Sequence, residues 1–389
     1  MNEVEKPHRL YFVDNLRILL TILVIMHHTT ITYGALGSWY FRDPNTDELS
    51  SILLTIIAAL DQGFFMGLFF FISAYFVPGS YNRKGARKFL KDRFIRLGIP
   101  ILIYTIIVNP ILNYLVILQT QSEVEISFIE FYLSYFQSWE GFLNFINGNG
   151  PLWFIVMLLV FALFYCSWRE IKKKKSEKNS VQKPPNNLKI VIIVIIMSVF
   201  TFLIRLWFPM DGGDVILNIQ LAFVVQYIIM LILGVIAYKR DWFRNISDSQ
   251  GKLWLAIAFL SIIYFFTIAL LGGAFEGNIY KFQGGFYWQA FAYSIWESFY
   301  CIGMSIGLVT LFRKKFNTQG KASKILSENS YTIYLIHAPV LVSIAILFVG
   351  LLIPPLLKFA IVLFIVLLLC YVISHFILRR IPGTKRVLG

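Results

Sequence analysis

The chain has 389 residues, 58% of them hydrophobic and 17% aromatic, a composition that excludes a soluble multidomain protein. Its net charge of +14 would suit a nucleic-acid partner only if the basic residues shared a soluble face, and they do not. Most of them lie in the gaps between apolar runs, so the partner that the charge implies is a lipid bilayer and not nucleic acid.

A membrane span needs about 20 mostly apolar residues. Ten such runs follow one another, at roughly 16–34, 52–77, 95–118, 151–168, 190–208, 216–238, 253–271, 288–312, 330–350 and 355–378. The fold expected is an all-α polytopic membrane bundle of about ten helices, a single unit over 1–389 with no separate soluble domain. If the runs alternate across the membrane, the N-terminus, the segments 83–96, 169–189, 239–252 and 313–324, and the tail from Arg379 all lie on one side. Together they carry 30 of the 35 Lys and Arg residues. The opposite loops hold Arg42 and Lys281, and collect acidic residues such as Asp43, Asp47, Glu130 and Glu276. By the positive-inside rule both termini are expected in the cytosol. The first run is longer than a signal-peptide core and lacks a small-residue cleavage site, so it reads as a retained span. The basic stretch around 169–189, with "KKKKSEKNSVQKPPNN" at 172–187, reads as a solvated cytoplasmic linker. Cys166, Cys301 and Cys370 all fall inside spans and define neither a disulfide framework nor a metal ligand set.

The ionisable residues inside the runs carry the chemical signal, because such groups are costly in hydrocarbon. In the first run Arg17 and His28 are eleven residues apart, almost three helical turns, which returns His28 to within about 20° of Arg17 and about 16 Å along the axis. His27 points about a quarter turn away. Arg17 can equally snorkel to the headgroups with Asp14 as its partner. Asp61, in the second run, should lie near the depth of His28 and either orients its imidazole or pairs with Arg205 of the fifth run. Arg93 and Arg96 stand three apart before the third run, one turn apart on a helix, as phosphate donors or as ordinary positive-inside anchors. Glu297 in the eighth run and His337 in the ninth are expected to face the interior, His337 with a structural hydrogen bond. Trp153 reads first as an interfacial aromatic. "GMSIG" at 303–307 matches a nucleophile-elbow pattern, but it lies in an apolar helix, where small residues serve close packing.

"VDNLR" leading into an apolar run, with Arg17, ten residues and then His28, resembles the signature of the acyltransferase-3 family of integral membrane proteins. "GFFMGLFFFISAYF" at 63–76, "FLKDRFIRLGIP" at 89–100, "GPLWFI" at 150–155 and "SYTIYLIH" at 330–337 resemble further segments of that family in the same order, although Ala74 stands where a glycine is common. The paired histidine and "DNLR" resemble the glucan-succinylating branch. The resemblance implies a plasma-membrane enzyme with acyl-CoA, acetyl-CoA or succinyl-CoA, as donor substrate. Its acceptor would be a hydroxyl of an extracytoplasmic glycan or similar molecule, and no metal is implied. It also implies that Arg93 and Arg96, with Arg17, meet the CoA part of the donor, while His28 acts as general base or transient acyl carrier, with Asp61 beside it. The competing expectation is a proton-coupled transporter, in which the same buried His, Asp and Glu relay protons, although no paired, interrupted halves stand out in the sequence.

The charge partition yields a direct test of sidedness. A cysteine introduced at Ser176 should resist an impermeant maleimide in intact cells and react only after permeabilisation. Labelling in intact cells would invert the orientation and move the donor to the other face.

Overall fold

A computed structural model describes residues 9–120, 125–172, 183–211 and 215–388; Ser176 and the rest of 173–182 in the basic linker, along with Glu123 and Asp214, lie outside the described residues. Among the described residues ten helices are long and apolar enough to cross a membrane, and each overlaps one of the expected runs. In chain order the spans are Tyr11–Thr32, Glu48–Tyr75, Val77–Thr120, Gly150–Ile171, Asn187–Arg205, Leu221–Lys239, Asp248–Glu276, Trp288–Lys315, Lys321–Phe348 and Pro355–Arg380. The protein is thus a multi-pass, all-α bundle. The first span sits at its centre, in contact with the second, eighth, ninth and tenth. It buries Phe12, Leu16, Leu20, Val24 and Ile25.

Close packing follows the small residues. A side chain on Gly303 would meet the backbone oxygen of Trp254 at 2.7 Å, and one on Gly307 would meet Leu255 Cβ at 2.7 Å. "GMSIG" is therefore a surface on which the seventh and eighth spans approach each other, as small residues allow in lipid.

The third span is longer than its apolar run because the basic segment is already helical. Gly85, at φ +70°, breaks the helix Val77–Arg93 near its middle, and the chain continues through two π turns, Phe94–Gly98 and Tyr104–Val108. Each π turn comes just before a proline, Pro100 and Pro110. A helical proline lacks an amide hydrogen and its ring collides with the carbonyl four residues back; those carbonyls belong to Arg96 and Ile106, inside the widened turns, where the wider ladder relieves the collision.

The loop between the third and fourth spans holds two short helices, Phe128–Ser134 and Trp139–Ile146. Both are closed by serine N-caps: Ser127 accepts from the amide of Glu130, and Ser138 from Gly141. A two-residue antiparallel hairpin, Val215–Ile216 with Ile219–Gln220, turns through Leu217 and Asn218 in left-handed conformations. It is pinned to the fourth span's entry by Asn149 Nδ2 donating to the Leu217 carbonyl at 2.7 Å and Asn218 Nδ2 donating to the Gly150 carbonyl at 2.7 Å.

Two buried ion pairs tie distant segments together. Arg205 Nη2 lies 2.8 Å from Glu297 Oε2, and Lys358 Nζ lies 2.6 Å from Asp43 Oδ2 with both side chains fully buried. Arg205 also donates Nε to the Ala222 carbonyl at 3.1 Å, so it joins the fifth, sixth and eighth spans. Removing one partner leaves an uncompensated charge. Glu297→Ala is expected to destabilise the protein by about 3–5 kcal/mol, with much of the loss recovered when both partners become leucine. Unfolding transitions in detergent would measure this; a single variant as stable as the wild type would show that the pair does not hold the three helices.

Candidate functional site

The first span is helical through both histidines, and its hydroxyls satisfy themselves. Thr21, Thr29, Thr30 and Thr32 donate to the carbonyls of Arg17, Ile25, His27 and His28 at 2.6–2.9 Å. In the second half of this helix the imidazoles are left as the polar groups that must look outward for partners.

The two rings part company as helical geometry requires. His27 stacks on Phe65 at a centroid distance of 5.1 Å and places Nδ1 3.5 Å from Asp61 Oδ2. Neither alternative offered for Asp61 survives. Asp61 does not orient His28, because the second span descends on the His27 side of the helix, and it does not pair with Arg205, which Glu297 holds. The group that sequence reasoning set beside His28 belongs to its neighbour.

His28 faces a different set of groups. Trp39 covers the face of its ring at 3.8 Å between centroids and 17° between planes. The His337 ring lies 5.3 Å away, nearly parallel at 16°. Trp39 comes from the loop after the first span, which folds back over the helix end and is fastened by the Asp43–Lys358 pair and by Asp43's own backbone amide donating to the Thr32 carbonyl at 2.8 Å. Next to it, Tyr40 donates to Asn109 Oδ1 at 2.6 Å and accepts from Tyr104 at 3.2 Å. Gly150 adopts φ +47°, and any side chain there would run into the Tyr40 hydroxyl. A glycine at this point of "GPLWFI" is thus a packing requirement. Tyr334 donates to the Pro151 carbonyl, so segments 39–40, 104–109, 150–151 and 334–337 close around the His28 end of the first span.

His337 has the structural hydrogen bond expected of it, Nδ1 to the Tyr334 carbonyl at 2.6 Å, and it also stands at the site. Trp153 is not a free interfacial aromatic, since it is half-buried and stacks on Tyr227 at 5.2 Å. Trp39, Tyr40 and Asn109 were not singled out from the sequence. The one signal was Asn109 itself, a buried amide in a run otherwise built for lipid.

At the opposite end of the first span stand three arginines. Arg17 keeps Asp14 at 3.5 Å and lays its guanidinium over Phe76 at 4.9 Å; its side chain remains 37% exposed, so the pairing with Asp14 leaves it open to a ligand. Arg93, over the ring of Phe89 at 5.2 Å, is within electrostatic range of both Arg17 and Arg96. Tyr331 of the ninth span donates its hydroxyl to the Arg96 carbonyl, the oxygen that Pro100 leaves without its usual helical donor. Three cations gathered with little neutralisation can take up an anion, and "SYTIYLIH" contributes at both ends, Tyr331 beside the arginines and His337 beside His28.

Comparison with known proteins places the chain in a family. Residues 10–375 match the acyltransferase domain family. Glucans biosynthesis protein C of Escherichia coli (strain K12) is 25% identical over 280 residues, 68% of this chain and 67% of that protein. The protein of the same name from Shigella dysenteriae serotype 1 (strain Sd197) is 26% identical over 277 residues, with the same shares covered. No solved structure is a significant match.

Proposed function

The chain belongs to the acyltransferase-3 family, and from that premise we propose that it transfers an acetyl or succinyl group from cytosolic acyl-CoA to a hydroxyl of a glycan, or a similar acceptor, beyond the plasma membrane. The observation that carries this reading is the first span itself, which presents Arg17 to an arginine cluster at one end and His28 to the rings of Trp39 and His337 at the other. The arginines suit the phosphates of CoA, and the basic loops on their side suit the cytosol, where acyl-CoA is made. The pantetheine arm would cover the distance to His28. The glucans in the name of the Escherichia coli and Shigella relatives are acceptors of the right class.

In the reaction the acceptor oxygen attacks the thioester carbonyl, a C–O bond forms, the C–S bond breaks, and the hydroxyl proton ends on the CoA sulfur. His28 takes that proton in transit as general base, or first receives the acyl group on a ring nitrogen and passes it on. An imidazole serves both roles near neutral pH. The His27–Asp61 pair and the buried Glu297 are the groups that a proton-coupled transporter would use, so the test must read transfer itself. Protein in liposomes, given labelled acetyl-CoA or succinyl-CoA on the arginine side and glucan oligosaccharide on the other, should yield acylated glycan by mass spectrometry. Proton movement coupled to solute flux with no acylated product would favour the transporter.

Two sets of variants follow. His28→Ala should lower transfer by at least about 10²–10⁴-fold with protein level and acyl-CoA binding retained. His27→Ala should keep measurable transfer or fail through instability, and an inactive, well-folded His27→Ala beside an active His28→Ala would reverse the assignment.

Arg93→Ala with Arg96→Ala should weaken acyl-CoA binding without loss of inserted protein. Lysine at both positions should rescue partly, because it keeps the charge and loses the planar fork. Equal donor affinity in the wild type and the double alanine variant would reduce both arginines to topology anchors.

A further inference from the structure

On the side of the basic segments, at the far end of the bundle from His28, two hollows meet. One is an apolar crevice between the fifth, sixth and eighth spans, lined by Ile190, Met230, Leu233, Ile302 and Ile306, with Trp242 of the following loop on its wall. The other is open and polar, with Lys183, Asn186, Asn245, Ser247 and Ser249 around it. Pro185 and Gln250 line both. Gln250 fixes that junction by donating Nε2 to the Pro185 carbonyl at 2.8 Å and to Asn187 Oδ1 at 3.1 Å. The two hollows thus form one groove, polar at one end and apolar at the other.

The depth of the crevice matches one leaflet. Arg313 of the eighth span donates to the carbonyls of Phe243, Arg244 and Ile246 at 2.7–3.2 Å, which sets the short helix Trp242–Asn245 level with it. Ser305, on the crevice wall, lies eight residues back along that span, about 12 Å deeper. The chains of one leaflet fill about 15 Å.

Two independent features point to an occupant. Trp242 is buried and its Nε1 has no hydrogen-bond partner among the described residues, at the level where an indole normally finds one in the membrane interface. The polar end is built from two helix starts. Asn186 caps Asn187–Arg205 and Ser247 caps Asp248–Leu271, accepting from the amides of Lys189 and Gln250, and the other first-turn amides and the dipoles of both helices favour an anion. Lys183 adds a positive charge beside them. Asp248, the acidic group at this point, is already held by Arg313 at 2.9 Å and Lys314 at 3.2 Å. The second unpartnered atom on the crevice wall, Ser305 Oγ, sits at the deep end near the Cys301 thiol one turn earlier, where a hydroxyl can turn its hydrogen to that sulfur or to its own helix.

We propose that the groove binds one glycerophospholipid of the leaflet on the basic side: its phosphate at the two helix starts and Lys183, an ester carbonyl accepting from Trp242 Nε1, and one acyl chain in the crevice. The polar and apolar ends are joined in the order in which such a lipid joins its own headgroup and tail. Binding is non-covalent and stands apart from the acyl-transfer reading.

The test uses the full chain in detergent, titrated with dioleoyl phosphatidylglycerol and followed by native mass spectrometry. One phospholipid per chain should be retained, and dioleoylglycerol, which has the same chains and esters without the phosphate, should be retained far less. Trp242→Phe keeps the ring and loses the donor, so affinity should fall roughly 2–10-fold. Leu233→Trp, which fills the crevice, should abolish the bound lipid, and Lys183→Ser should narrow the difference between the two lipids. Equal retention of the two lipids by the wild type, or phosphatidylglycerol binding unchanged in both Trp242→Phe and Leu233→Trp, would overturn the proposal. Palmitoyl-CoA outcompeting phosphatidylglycerol in the wild type, with that advantage lost in Leu233→Trp, would make the groove a place for the donor and overturn it as well. Should Leu233→Trp fail to fold, Trp242→Phe and the comparison of the two lipids decide.

Discussion

Hydrocarbon does not solvate charge, and the arrangement of this bundle depends on that constraint. An ionisable side chain within a span must find an opposite charge, reach the interface, or face a space that something else will occupy. Arg205 and Glu297 take the first course, as do Lys358 and Asp43, in tight pairs sealed from solvent. Arg17, Arg93 and Arg96 take the second, gathered where the first span meets the basic surface. His28 and His337 take neither. Their rings are packed among aromatics, and each retains a nitrogen without a hydrogen-bond partner among the described residues.

The closed pairs also explain why the surroundings of His28 hold their shape. Trp39 and Tyr40 lie on an irregular loop, which alone would have many conformations to lose on ordering. Asp43 pulls that loop down onto Lys358, 315 residues away in the chain, Asn109 catches the Tyr40 hydroxyl, and Gly150 leaves room for it. An interaction with no part in the chemistry thus fixes the wall against which the chemistry is arranged.

Much of this was legible in the sequence, for identifiable reasons. Ten apolar runs give ten spans because length and hydropathy alone decide whether a helix can cross. The divergence of His27 from His28 follows from the angle per residue, and the packing role of Gly303 and Gly307 from the absence of any strand before them. The partner of Asp61 was beyond reach, because periodicity gives the face of one helix and never the lateral position of the next. Trp39 was missed for a related reason: it belongs to a loop without periodicity, held by a pair whose members no spacing rule connects. The helices Phe128–Ser134 and Trp139–Ile146 are too short for their pattern to stand out from a loop.

The two widened turns of the third span act as gearing. A π turn accommodates one residue more than the α turn it replaces, and one residue of an α-helix is worth about 100° of rotation and 1.5 Å of advance. Tyr104 begins the second widened turn and Asn109 immediately follows it, so the azimuth at which Asn109 meets Tyr40 is set by that extra residue together with Pro110. A single deletion there, leaving every contact residue in place, would swing Asn109 about a quarter turn from Tyr40 and detach the aromatic wall from its helix. The span therefore tolerates change in the identity of its lipid-facing residues far better than change in their number.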